Sequence, residues 1–345
     1  MTKIKIANKL IGEGESCFVV AEAGINHNGD IKLAKRLVDV AVDARADAVK
    51  FQTFKTEKFI SKNIVIPKHI KSAESFFETI RKLELSEKDH YELSGYCKQK
   101  GIIFMSTPLD NSCVDLLDTI GVPVFKIASC DLNNLPLVKY IAKKRKPIIL
   151  STGMGTMEEI KEAVEAIESN GNNNLILLHC VSAYPPKVEE INLKAMETLR
   201  NVFKLPVGYS DHTIGINISL AAVALGAKVI EKHFTLDKKM DGPDHAASAN
   251  PKELKNLISG IREIEKSLGT GVKTPSESEI EMKKSFRRSI VADIDIKVGD
   301  LITPEMLSIK RPGTGLSPKY FNSIIGKKAK RNIDKDELIK IEDFD

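Results

Sequence analysis

The chain has 345 residues, 42% of them hydrophobic, with 52 basic and 47 acidic side chains and a net charge of +5. That length suits one large domain followed by a small one, and no apolar run approaches the ~18 residues of a membrane-spanning helix. The charges are interleaved, as in Lys161-Glu162 and Lys252-Glu253, rather than gathered into a basic stripe with aromatics; nucleic acid is therefore excluded as an expected partner. The mild basic excess suits small anionic substrates. The first residues lack the long apolar stretch of a secretory signal. Five scattered cysteines (Cys17, Cys97, Cys113, Cys130, Cys180) contain no Cys-x-x-Cys pair. Reduced thiols and a cytoplasmic location are the expectation.

From residue 18 onward, short apolar runs alternate with amphipathic stretches. The runs are Phe18-Val19-Val20-Ala21, Ala48-Val49-Lys50-Phe51, Ile102-Ile103-Phe104-Met105 and Val124-Phe125-Lys126-Ile127. They continue with Ile148-Ile149-Leu150, Leu175-Ile176-Leu177-Leu178, Pro206-Val207-Gly208-Tyr209 and Val229-Ile230-Glu231. Helical periodicity marks 31–44, 87–99, 157–169 and 216–225. Eight buried strands alternating with helices predict an α/β fold, a (β/α)8 TIM barrel, which needs ~250 residues. Residues 1–268 supply them. The connection from 54 to 101 is long for this fold; an insertion at 61–77 is expected either to help shape a pocket or to be a tolerated surface excursion. Gly269-Thr270-Gly271 and Thr274-Pro275-Ser276 predict a linker over 269–284. Beyond it, 285–345 reads as a small β-rich auxiliary domain, with turn signals at Val298-Gly299-Asp300 and Arg311-Pro312-Gly313-Thr314-Gly315.

The C-terminal ends of the strands carry the polar groups. In order these are Glu22 and Asn26; Lys50 and Gln52; Ser106-Thr107; Lys126, Ser129 and Asp131; Ser151-Thr152; His179, Ser182 and Tyr184; Ser210-Asp211-His212; and Lys232-His233. Barrel enzymes build their sites at this face, so the groups are expected to converge there. His212 and His233, ending adjacent strands, can hold one divalent ion with positions left for water and substrate. Completed by oxygen ligands, such a pair suits Mn²⁺ or Mg²⁺ better than a structural zinc. The plainer reading is two core histidines; His179 and His245 are weaker candidates, supporting rather than ligating. Lys50 and Lys126 stand in apolar strands and need anionic partners, since an unpaired buried ammonium is costly. With Thr107, Ser129, Ser182 and Ser210 they make a phosphate-plus-carboxylate cradle; a Schiff-base lysine and a structural ion pair are the alternatives. Glu22 and Asp131 are candidates for holding a water or moving protons. Gly153-Met154-Gly155 is too short for a nucleotide loop, and no Walker sequence occurs.

An ordered set of segments resembles the sialic acid synthase family along nearly the whole chain. It comprises Ala21-Glu22-Ala23-Gly24-Ile25-Asn26-His27-Asn28-Gly29, Val49-Lys50-Phe51-Gln52-Thr53, Ser106-Thr107-Pro108, Phe125-Lys126-Ile127-Ala128-Ser129 and Ser151-Thr152-Gly153-Met154. It continues with His179-Cys180 before Tyr184-Pro185, then Gly208-Tyr209-Ser210-Asp211-His212-Thr213, Glu231-Lys232-His233-Phe234-Thr235, Gly242-Pro243-Asp244-His245 and Lys310-Arg311-Pro312-Gly313. The tail resembles the antifreeze-like (SAF) domain fused to these synthases, with no ice binding implied.

The resemblance implies condensation of phosphoenolpyruvate with an N-acylated hexosamine to a nonulosonic acid. It implies His212 and His233 as ligands of a divalent metal (Mn²⁺ first, Mg²⁺ or Co²⁺ as substitutes) and Lys50, Thr107, Lys126, Ser129, Ser182 and Ser210 as the phosphoenolpyruvate site. Gln52, Tyr184, Asp131 and Asp244 would surround the aminosugar, with Glu22 holding the reacting water or intermediate. Arg311 would reach the partner subunit's barrel in a domain-swapped homodimer. Some bacterial members have glutamate where Asp131 stands and asparagine where Ser182 stands. N-acetylmannosamine as acceptor would give N-acetylneuraminate; 2,4-diacetamido-trideoxyhexoses would give legionaminate or pseudaminate. The pattern Gly242-Pro243-Asp244-His245 with Ala247-Ser248 is also similar to legionaminate-type members. A Schiff-base aldolase and a non-catalytic sugar-binding protein are the more distant alternatives.

Overall fold

A computed structural model of the protein describes residues 3–64 and 75–345. Most of the expected insertion, residues 65–74, lies outside the described residues. The chain divides into two compact units, Met1–Gly269 and Thr270–Asp345.

The first unit opens with a small antiparallel hairpin, β1 (Ile4–Ile6) and β2 (Lys9–Ile11). Eight strands follow: β3 (Phe18–Gly24), β4 (Ala48–Thr53), β5 (Ile103–Pro108), β6 (Phe125–Ile127), β7 (Ile148–Ser151), β8 (Leu175–Cys180), β9 (Val207–Asp211) and β10 (Val229–His233). They form one sheet in the order β5-β4-β3-β10-β9-β8-β7-β6, with parallel pairing throughout. β5 and β6 pack side by side where the ladder is open, so the sheet curls into a nearly closed barrel. The expected TIM-barrel fold is borne out. Each predicted strand appears within a few residues of its expected place, because strands covered on both faces read as continuous apolar runs.

Helices fill the connections and begin where the sequence offers caps. Asp30 caps Ile31–Asp43 by accepting from the Lys32 N–H; Thr156 with Glu159, and Asn250 with Glu253, form reciprocal capping boxes for Met157–Glu168 and Pro251–Ser267.

Strand alternation sorts the side chains. Val19, Ala21, Val49, Phe51, Phe125, Ile148, Leu150, Leu177 and Ile230 face the helices and join the main core. Their neighbours Phe18, Val20, Ala48, Met105, Val124, Ile149, Ile176, Leu178 and Val229 form a second cluster with Ile4, Ile6 and Ile11 of the hairpin. The lower barrel is thereby filled with hydrocarbon and plugged by β1 and β2. Truncating one of these, such as Met105→Ala, should cost about 2–5 kcal/mol. On the same inward-facing rows, higher up, the residues turn polar. There the site begins.

The second unit holds a helix, Glu277–Phe286, and an antiparallel pair, β11 (Ser289–Ala292) and β12 (Leu307–Lys310). Its core gathers Ile290, Ile296, Ile302, Ile324, Ile333, Ile339 and Phe344. The helix begins inside the segment expected as a linker, 269–284. Ser276 and Glu279 form a capping box at its start, a signal that the flanking Gly and Pro residues obscured.

Candidate functional site

The inward residues that crown the barrel surround a cavity of about 280 Å³, close to the smallest ligand sites, which span ~300–1,000 Å³. Eleven of the expected residues line it: Glu22, Lys50, Gln52, Thr107, Lys126, Ser129, Ser182, Tyr184, Ser210, His212 and His233. Ser151, also expected from its strand end, is a twelfth, and the structure adds Cys180 and Glu231, with Phe59, Leu109 and Met154 as apolar wall.

Its charged floor is buried. Lys50 and Lys126 are only 3% and 2% exposed. Lys50 Nζ lies 2.5 Å from Glu22 Oε2 and 3.7 Å from Glu231 Oε2, and donates to Thr107 Oγ1 at 3.0 Å. Lys126 Nζ lies 3.6 Å from Glu231 Oε1 and donates to Ser151 Oγ at 2.6 Å and to the Ile127 carbonyl at 3.2 Å. Ser210 Oγ donates to Glu231 Oε1 at 3.0 Å. Glu231 therefore bridges the two lysines. It looked like an ordinary residue inside β10; the signal that finds it is its two-residue spacing from His233 on the same inward row.

Burial governs the protonation of this floor. It pushes the Glu22 carboxyl up to about 7, with Lys50 pulling the other way. Burial also opposes ionisation of Glu231, but Lys126 and then Lys50 outweigh it and hold that carboxyl well below the usual carboxylate range. For Lys50 burial is outweighed by Glu22 and Glu231, so its pKa is raised; for Lys126 burial prevails over Glu231, and its pKa is lowered.

Above the floor stand the two histidines, ring centroids 5.4 Å apart. His212 Nδ1 donates to the Val181 carbonyl at 2.8 Å, which leaves the lone pair on Nε2. Among the described residues, His233 Nδ1 is buried without a hydrogen-bond partner, as is Glu22 Oε1. Tyr184 packs on both rings, at 4.0 Å from His212 and 5.6 Å from His233. Two imidazoles with available nitrogens beside an unpartnered carboxylate oxygen fit a divalent cation. Among the described residues no cluster of three or more His, Cys, Asp or Glu side chains is arranged to hold a metal; the histidine pair is the part of the lining that fits a cation.

Several expected residues fall outside the cavity lining. Asp131, in the turn Ser129–Asp131, is held by Asn134 Nδ2 at 3.0 Å, and burial raises its pKa. Asp244 Oδ2 lies 3.7 Å from His233 Nδ1, and burial pushes its carboxyl up to about 6. Arg311 belongs to the second unit, where its guanidinium lies over the Phe286 ring at 4.9 Å. His179 faces away from the barrel axis and pairs with the Ile191 carbonyl at 2.6 Å, while His245 pairs with Thr235 at 2.6 Å and Asn28 at 3.1 Å. Asn26 ties β3 to the Phe234 carbonyl at 2.8 Å and Ser248 at 2.9 Å. Asp211 and Lys232 also fail to converge on the site: alternation turns both toward the helices.

Comparison with known proteins agrees with this layout. The model of the NeuB family matches residues 37–273 and that of the SAF domain residues 287–345. The chain is 50% identical to the N,N'-diacetyllegionaminic acid synthase of Campylobacter jejuni, over 93% of this chain and 98% of that protein. It is 44% identical to the enzyme of the same name from Legionella pneumophila, over 93% of each. Among solved structures, N-acetylneuraminic acid (sialic acid) synthetase from Leptospira borgpetersenii, in complex with citrate, superimposes with a TM-score of 0.74 at 39% identity, covering 81% of this chain and 95% of that one.

Proposed function

Because this chain belongs to the NeuB family of sialic acid, legionaminic acid and pseudaminic acid synthases, we propose that it condenses phosphoenolpyruvate, the open-chain form of an N-acylated hexosamine and water into a nonulosonic acid and phosphate. One observation carries this reading: two buried lysines, hydroxyls and a histidine pair share a single cavity. The lysines suit the charge of a small polyanion, and a histidine pair beside them supports a cation-assisted carbonyl acceptor.

In this mechanism Lys50, Lys126, Thr107, Ser129, Ser182 and Ser210 bind the phosphate and carboxylate of phosphoenolpyruvate and stabilise their charge throughout. His212 and His233 would hold a divalent metal, Mn²⁺ first, with Mg²⁺ or Co²⁺ as substitutes; when bound it polarises the sugar aldehyde. C3 of phosphoenolpyruvate bonds to the aldehyde carbon, whose oxygen takes up a proton, and C2 gains cationic character. Glu22 holds the water that adds to C2 and accepts its proton, for which a pKa near neutrality is suited. The hemiketal phosphate then expels phosphate, and C2 becomes the ketone. Gln52, Tyr184, Asp131 and Asp244 position the aminosugar, and Arg311 of a partner subunit reaches its N-acyl group in a swapped homodimer.

Lys50 is ion-paired and held as an ammonium, which disfavours a Schiff base there; borohydride trapping of a pyruvate adduct on Lys126 would support the aldolase alternative instead. N-acetylmannosamine and 2,4-diacetamido-2,4,6-trideoxymannose are the two acceptors to compare. Identity of 50% and 44% to two legionaminic acid synthases favours the second. The test is phosphate release from phosphoenolpyruvate with Mn²⁺ and each sugar. Release that depends on sugar and on metal, and that ends with chelation or His233→Ala, supports the reading. Full activity after chelation removes the metal from it, and release with neither sugar sinks the synthase assignment.

A further inference from the structure

Asp211 and Lys232 each immediately precede a histidine of the pair, and they face each other in the β9–β10 ladder. Both point to the outer side of the barrel wall. Lys232 Nζ donates to Asp211 Oδ2 at 2.9 Å, and the same oxygen accepts from Ser219 Oγ at 2.5 Å. Asp211 Oδ1 accepts from the Thr213 N–H at 2.8 Å and from Thr213 Oγ1 at 2.7 Å, and Lys232 also donates to the Thr213 carbonyl. Asp211, Ser219, Lys232 and Thr213 are all buried.

This network is electrically closed and reaches no substrate cavity, so it takes no direct part in chemistry. What it does is join three pieces of backbone: the end of β9 with its following turn, the end of β10, and the helix Asn217–Ala224 that carries Ser219. A buried ion pair is poor evidence of added stability, because desolvation offsets the attraction; fixing one arrangement is its best-attested use. Here the arrangement fixed is that of residues one step away. His212 has a second anchor in the Val181 carbonyl. His233 Nδ1 has no hydrogen-bond partner among the described residues, its nearest carboxylate being Asp244 at 3.7 Å, so the place of that ring leans more heavily on its backbone.

We propose that Asp211 and Lys232, with Ser219, are positioning residues that set the separation and presentation of His212 and His233 for a divalent cation. The inference rests on the metal reading above. Partners hydrogen-bonded directly to metal ligands are worth about 10–100-fold in metal affinity; this network acts one residue removed, through the backbone, so the low end of that range is the expectation.

The test titrates metal-free full-length protein with Mn²⁺ by electron paramagnetic resonance, and separately with phosphoenolpyruvate by calorimetry without metal. Asp211→Asn should raise the Mn²⁺ Kd about tenfold while the phosphoenolpyruvate Kd changes less than about twofold. Ser219→Ala, which retains the ion pair, should raise it about fivefold, the effect of one lost hydrogen bond, and decides the matter if Asp211→Asn does not fold. A lowered melting temperature with an unchanged Mn²⁺ Kd in the folded variants would overturn the proposal, leaving a purely structural pair. If wild type binds no stoichiometric Mn²⁺, or binds it equally well as His233→Ala, the metal reading itself fails and this inference falls with it.

Discussion

Lys126 and Glu231 face each other across 3.6 Å at the bottom of the cavity, both almost wholly buried. Neither charge is tolerable there alone. Glu231 offsets the desolvation of Lys126, and Lys126 is the leading cause that keeps Glu231 ionised. Glu231→Gln therefore strands a buried ammonium, which typically costs about 3–5 kcal/mol of stability. Denaturant unfolding should show that loss. Phosphate release should fall by about 100-fold or more, the scale of removing a fixed charge at a reacting centre. An active, fully stable Glu231→Gln protein would show that the bridge is dispensable.

The raised pKa of Glu22 makes two pH predictions. Its folded-state value, about 7, lies above the ordinary 4.5, so the folded protein holds this proton more tightly than the unfolded chain does. The stabilisation is full below the ordinary value, is lost as pH rises between 4.5 and about 7, and changes no further above that. Glu22→Gln should remove this contribution to the slope of stability against pH. If ionised Glu22 accepts a proton from the water, kcat/KM should rise with pH through about 7 in the wild type. The residual activity of Glu22→Gln should lose that limb. A limb that persists in the variant belongs to another group.

The barrel was legible because fully buried parallel strands leave uninterrupted apolar runs. Facing was harder to read. Treating every polar residue at a strand end as convergent placed Asp211 and Lys232 in the site, whereas the two-residue period puts Ser210, His212, Glu231 and His233 inside and their neighbours outside. The same omission hid Glu231. The hairpin at residues 4–11 was missed because strands of three residues carry too little pattern to register. The resemblance assigns Asp131 and Asp244 to the sugar, yet neither belongs to the cavity lining, a placement set by loops that no periodicity describes. The helix Glu277–Phe286 was masked by the glycines before it.

Gly153 offers a probe of the hydroxyl part of the cradle. A Cβ added there would lie 2.3 Å from Ser182 Oγ, 2.8 Å from Ser129 Oγ and 3.2 Å from Cys180 Sγ. Its N–H already donates to Ser129 Oγ at 3.0 Å. Side-chain rotation can relieve the clash, but only by moving two hydroxyls assigned to phosphoenolpyruvate. Gly153→Ala should therefore fold and raise the phosphoenolpyruvate KM about tenfold, the size of one or two hydrogen bonds, with the aminosugar KM little changed. An equal rise in both would place these hydroxyls elsewhere in the mechanism.

Arg311 lies in the second unit, and the swapped dimer proposed above assigns its contact with the sugar to a partner's barrel. Arg311→Ala alone should raise the aminosugar KM and leave that of phosphoenolpyruvate unchanged. Mixing tests the partner directly. Arg311→Ala subunits keep an intact barrel, and Glu22→Gln subunits keep an intact arginine. In a swapped dimer of one of each, the first barrel receives the second subunit's arginine and is whole. Random reassortment of equal amounts makes half the dimers mixed, each with one good site, so about a quarter of wild-type activity should return. If the arginine serves its own barrel, every site in the mixture is defective and activity stays at the level of the separate variants.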